Sequence, residues 1–210
     1  MNDIDGGATA GGQAQHAVQL FDSVESRAES VSAYLMRGYE IGATLLIVAR
    51  PKHWKAIEVG LRSRGCDVAN RLKEGRIVVL DAAATLRAIS RDNRPTKDRF
   101  DELVARLTRR LGGNGLFAFG EMVDLLAEEG NFSAALALEA LWDALVQQTS
   151  VAVMCGYSSA HFVSAPGESQ LEHVCRAHSE VCVSLEDPLG AWLLRKARLA
   201  FKSGLAQAGH

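Results

Sequence analysis

The sequence predicts a three-layer α/β fold with a mainly parallel sheet, and three observations carry that expectation. Residues 44–49, 116–119 and 151–155 are short runs that are apolar on both faces, the pattern of strands buried between layers of helix. Segments of helical period separate such runs, so strands and helices alternate along the chain. With 210 residues, 48% of them hydrophobic, the chain suffices for one well-buried domain and is short for two.

Residues 1 to about 15 are rich in Gly, Ala, Gln and Asn and hold almost no large apolar side chain, so a disordered tail is expected there. Order is expected from a strand at 16–21. Asp22 and Glu25 then stand at capping-box spacing before a helix that reaches about Arg37 and stops at Gly38. After strand 44–49, Pro51 opens a helix running to about Arg64. Residues 65–68 are ambiguous, whereas 76–80 read as a strand ending at Asp81 with a short helix behind it. Beyond Asn93-Arg94-Pro95, the residues Phe100, Leu103, Val104, Leu107 and Leu111 recur at helical spacing, with Arg106, Arg109 and Arg110 on the other face. Glycines 112, 113 and 115 turn the chain into strand 116–119, and Gly130-Asn131 divides the helix after Glu121 from a long one starting near Phe132. Strand 151–155 leads to a loop over 160–167, a helix over 169–178 and a last strand at 181–183. Residues 16–185 thus form the expected domain. The remainder, 186–210, is expected as an amphipathic helix and tail, with Arg195, Lys196, Arg198 and Lys202 among its apolar positions.

A formal net charge of −2 offers no basic excess for tracking phosphates, so direct nucleic-acid binding is not expected. No run of about 20 apolar residues is present, so no membrane span is expected either. Four cysteines, Cys66, Cys155, Cys175 and Cys182, are too sparse for a disulfide scaffold. No signal segment opens the chain, and a cytoplasmic protein with reduced thiols is the expectation.

The phosphate loop G-x-x-x-x-G-K-[ST] is absent, and strand 44–49 runs into Arg50-Pro51-Lys52-His53-Trp54, without a glycine to open the backbone toward an anion. Ordinary ATP hydrolysis is therefore not expected, and the chain reads as non-catalytic. Lys52 and His53 at a helix N-terminus are secondary candidates for holding an anionic group, beside the plainer role of surface caps. Glu121, at the carboxyl end of a strand, stands where α/β sheets bind ligands. Glu139 lies beside Phe132, Ala135 and Val146 on the edge of an apolar stripe, where a carboxylate must be paired or titrate abnormally. Hydrogen bonds from backbone amides or from Arg50 to Glu121, with Glu139 bridging helices, are the structural alternative to a ligand site. Trp142, one turn beyond Glu139, reads as a packing residue that can also line the pocket. Cys155, His173, Cys175 and His178 include a C-x-x-H step, but no paired C-x-x-C knuckle accompanies it. The cysteines are read as small hydrophobes and no metal is assigned.

The landmarks taken together resemble a known family: His16 opening the first strand, Gly42 before Leu45-Leu46-Ile47-Val48-Ala49 with His53 beyond, Asp81, and Phe100. Phe119-Gly120-Glu121-Met122-Val123, Gly130-Asn131, Leu138-Glu139 with Trp142, Cys155-Gly156-Tyr157 and His178-Ser179 complete the set. This pattern, over residues 16 to about 183, resembles the MEDS family, the methanogen and methylotroph sensory domain. The resemblance implies a RecA-like domain related to circadian-clock ATPases but without a phosphate loop, and a role in sensing small hydrocarbon derivatives. Family members often precede DNA-binding, histidine-kinase or ATPase output domains. This chain carries only one added helix, so the signal is expected to pass to a separate partner, such as a histidine kinase or transcriptional regulator, or through a homo-oligomer. Glu121, Glu139, Trp142, Cys155, Tyr157 and His178 are family-matching positions and, with Lys52 and His53, the candidate ligand-binding residues. No cofactor is assigned. A degenerate nucleotide-binding protein and a metal- or redox-responsive switch using Cys155, Cys175 and His178 are the competing readings.

Overall fold

A computed structural model describes residues 15–108, 115–163 and 167–182. The predicted C-terminal helix and tail, the N-terminal tail up to residue 14, and Arg109, Arg110 and Leu111 lie outside the described residues. The elements are β1 (Gln15–Phe21), α1 (Val24–Glu40), β2 (Thr44–Ala49), α2 (Pro51–Ser63), α3 (Val68–Lys73), β3 (Ile77–Asp81) and α4 (Ala82–Ile89). A small antiparallel arm, β4 (Ser90–Arg91) and β5 (Arg94–Pro95), precedes α5 (Lys97–Thr108), β6 (Leu116–Gly120), α6 (Met122–Glu128) and α7 (Phe132–Gln148). The described chain closes with β7 (Val151–Ser158), a 3₁₀ turn at Ser159–Phe162, α8 (Gly167–Arg176) and β8 (Glu180–Cys182).

Six strands pair in the order β3-β2-β6-β7-β1-β8, all parallel. Alternate side chains of each strand enter two separate cores. Leu45, Ile47, Phe117, Phe119 and Met154 pack with α1, α2 and α3, while Leu46, Val48, Ala118, Val153 and Tyr157 pack with α4 to α8. A strand covered on both faces gains nothing from polar alternation, which is why these runs are uniformly apolar. The three-layer fold follows.

Several local expectations change. Helix α1 is capped by Ser23, not Asp22: the Ser23 hydroxyl accepts from the Ser26 amide at 3.0 Å, and the Ser26 hydroxyl bonds back to the Ser23 amide. Asp22 instead accepts the Ser26 hydroxyl at 3.1 Å. The helix continues past Gly38 to Glu40 and ends at Gly42, whose φ of +71° suits glycine. Gly38 serves close packing, because a Cβ there would stand 2.5 Å from the Phe117 ring. Gly38→Ala is accordingly expected to cost about 1–3 kcal/mol in chemical denaturation, and a neutral result would mean that the helix does not press on β6. The ambiguous stretch 65–68 leads into α3, with Asp67 as its cap. β7 extends to Ser158, and the predicted loop after it begins as a 3₁₀ turn. The expected helix 169–178 runs Gly167–Arg176 instead, so His178 sits in the link to β8.

Candidate functional site

Among the described residues, two clusters gather the buried acidic side chains with histidine and arginine partners. The first lies at the carboxyl ends of the central strands. β2 and β6 are neighbours in the sheet, yet β2 connects outward to β3 while β6 connects the other way to β7, with α2 on one face and α6 and α7 on the other, so a crevice opens at their carboxyl ends. A cleft of about 350 Å³ fills this place, lined by residues from 21–24, by Arg27, Arg50 and His53, and by Asp124, Glu128, Ser158 and His161.

Beneath it, Glu121 is fully buried and satisfied by three elements. The backbone N–H of Arg50 donates to its Oε1, Arg27 Nη1 donates to Oε2 at 2.9 Å, and His53 Nδ1 lies 2.7 Å from Oε2. Asp124, one turn along, accepts from the Arg50 guanidinium, from the Ser158 amide at 2.6 Å and from His161 Nε2 at 3.0 Å. Arg50 also reaches Glu128 at 2.7 Å. Burial alone would raise the Asp124 carboxyl, but the His161 bond, the Arg27 and Arg50 charges and the Ser158 amide hold it well below the usual carboxylate range. The rim of the cleft is thus an ordered array of paired cations and anions, with His53 and His161 partly open to solvent.

The second cluster lies between the sheet and α7. Glu139 is fully buried. The Tyr157 hydroxyl donates to its Oε1 at 2.7 Å, His16 Nε2 lies 3.1 Å from Oε2, and His178 Nε2 lies 3.2 Å from the same oxygen. Cys155 Sγ is 3.6 Å from His16 Nε2. The two imidazoles pack together, their centroids 4.1 Å apart. Burial works against the Glu139 carboxylate, yet the His178 charge and the contacts of His16 and His178 hold it well below its ordinary range. Burial, reinforced by the Glu139 charge, pushes the Cys155 thiol and Tyr157 phenol well up. Burial lowers His178 but the adjacent carboxylate raises it further, for a net upward shift.

The candidate residues therefore divide. Glu121 and His53 belong to the cleft cluster, and Glu139, Cys155, Tyr157 and His178 meet in the buried one. Lys52 is exposed on α2 and is not among the cleft-lining residues. Trp142 packs edge-on against Phe100, with centroids 4.9 Å apart. Glu121 takes the partner foreseen in the structural alternative, Arg50, through its backbone amide. Arg27, Asp124, His161 and the role of His16 were not singled out from sequence. Signals for two of them exist: Arg27 lies on the α1 face that carries Val31, Tyr34, Leu35 and Gly38, and His16 opens a strand buried from that residue onward. Cys175 and His173 are not among the residues gathered with His178.

Comparison with curated proteins finds no match. The family model described as "MEthanogen/methylotroph, DcmR Sensory domain" matches residues 15–179, a span that contains both clusters and all but the last described strand. On that match the chain belongs to the MEDS family, a family of sensory domains.

Proposed function

We propose that this sensory domain takes a small polar ligand in the cleft at the carboxyl ends of β1, β2, β6 and β7 and passes the signal to a separate partner protein. The observation that supports this is the convergence of Arg27, Arg50, His53, Asp124 and His161 from four elements onto one open cleft at a sheet switch point. Ion pairs already satisfy these groups, so a ligand enters by exchanging partners with them. Such an exchange at Arg50 couples occupancy to the positions of α2 and α6, because Arg50 caps α2 and holds Asp124 and Glu128 of α6. A histidine kinase, a transcriptional regulator or a second copy of the chain is the kind of partner that reads such a shift. Among the described residues no helix is long and apolar enough to cross a membrane.

The test is untargeted mass spectrometry of small molecules released from freshly purified chain, compared with Arg50→Ala and His161→Ala. A molecule released in near-stoichiometric amount from the parent and reduced about tenfold in both folded variants is expected, as for loss of about 1.4 kcal/mol of binding. Retention of that molecule in both variants, or its absence from the parent, sinks the cleft assignment.

A further inference from the structure

We propose that His16, Glu139, Cys155 and His178 form a buried binding site for a divalent transition-metal ion of the zinc class. These four residues come from β1, α7, β7 and the α8–β8 link, and their donor atoms all lie within 4.8 Å of one another. They are also the mixed nitrogen, sulfur and oxygen donors that zinc accepts.

The distances fit the donors of an ion as well as they fit hydrogen bonds. A tetrahedral zinc ion holds nitrogen and oxygen donors at about 2.0–2.2 Å and sulfur at about 2.3 Å, which places neighbouring N and O donors about 3.3 Å apart and N and S donors about 3.6 Å apart. Here the two histidine nitrogens stand 3.1 and 3.2 Å from Glu139 Oε2, and the sulfur stands 3.6 Å from His16 Nε2.

The surroundings have the form of an outer coordination shell. His178 Nδ1 lies 2.7 Å from the Val174 carbonyl, so that nitrogen donates its proton there and Nε2 is the nitrogen turned inward and available to an ion. That Nε2 is buried without a hydrogen-bond partner. A bare lone pair facing a carboxylate oxygen at 3.2 Å is repulsive, so a proton lies between them in the free site and is released when a metal cation takes its place. Tyr157 occupies the other carboxylate oxygen and leaves Oε2 free to ligate. His16 Nδ1 faces Asp143 Oδ1 at 3.7 Å, the side from which a carboxylate orients a ligating histidine.

Charge closes as well. A divalent ion, one carboxylate, one thiolate and two neutral imidazoles sum to zero, so the set can be buried without an uncompensated charge. Binding releases the Cys155 proton, and the ion reverses the penalty that burial otherwise places on the thiolate. Because His178 precedes β8, whose neighbour is β1, the ion would fasten the last described strand to the centre of the domain.

The test uses the full chain, stripped with a chelator and titrated with Co²⁺ under reducing conditions. Saturation at about one ion per chain is expected, with a thiolate-to-cobalt charge-transfer band, the intense visible bands of a tetrahedral ion, and displacement by Zn²⁺. A variant with Cys66, Cys175 and Cys182 all changed to alanine must keep that spectrum, and Cys155→Ser must lose the charge-transfer band. If Cys155→Ser does not fold, the triple variant decides, since Cys155 is then the only thiol left. Only the pale spectrum of octahedral aqueous cobalt with the parent chain overturns the site, as does loss of the charge-transfer band in a folded triple variant. A charge-transfer band that survives in Cys155→Ser overturns it too.

Discussion

Glu139→Ala is expected to destabilise the metal-free protein by about 3–5 kcal/mol, the range found when one partner of a buried charge network is removed. Three side chains converge on that carboxylate: Tyr157 at 2.7 Å, His16 at 3.1 Å and His178 at 3.2 Å. Truncation leaves a phenol and two imidazoles facing an apolar space that water does not readily fill, and each orphaned group carries its desolvation cost. Glu139→Gln preserves shape and still accepts the Tyr157 hydroxyl, so its loss is expected to be about 1–2 kcal/mol. Urea denaturation of the chelator-treated protein measures both. A loss below about 1 kcal/mol for the alanine variant would mean that the cluster opens to solvent and does not depend on its carboxylate.

Asp124 is expected to supply a large share of the acid sensitivity. Its folded pKa lies below that of an unfolded aspartate near about 3.9. The unfolded chain therefore binds the proton first, so the stabilisation is fully present above that value and is lost as pH falls toward the folded pKa. Stability should decline from about pH 5 downward. Asp124→Asn keeps an acceptor for the Ser158 amide but removes the charge facing Arg27 and Arg50. A loss of about 2–4 kcal/mol at neutral pH, together with a flatter acid limb, is expected. Unfolding free energies measured from pH 7 to pH 3 provide the check, and an acid limb as steep as the parent's would remove Asp124 from that role.

How much of the site was legible depends on sequence distance. Glu121 reads as functional because it follows a buried strand directly, and Glu139 because it interrupts an apolar helix face. Both are local patterns. Their partners are not local: Arg27 lies 94 residues from Glu121 and His16 lies 123 residues from Glu139. Asp124, taken by itself, is an acid in the first turn of a helix, a position that the helix dipole explains without any site. Gly38 shows the reverse error, since its propensity says stop while the ring of Phe117 makes it a packing residue.

The chain's own pattern determined the layered parallel architecture, because a strand apolar on both faces has only one stable setting, between two layers of helix. It also determined the family, through the G-E-M-V, L-E-x-x-W and C-G-Y landmarks at their places along those elements. Only the tertiary structure decided that the candidate residues form two clusters. Strand order and register carry that information: setting β1 beside β7 pairs His16 with Val153, within reach of the Cys155 thiol two residues on, and setting β6 beside β2 brings Glu121 to Arg50. Pairing between distant strands is chosen by the burial of the whole sheet, a collective quantity that no local spacing of residues encodes.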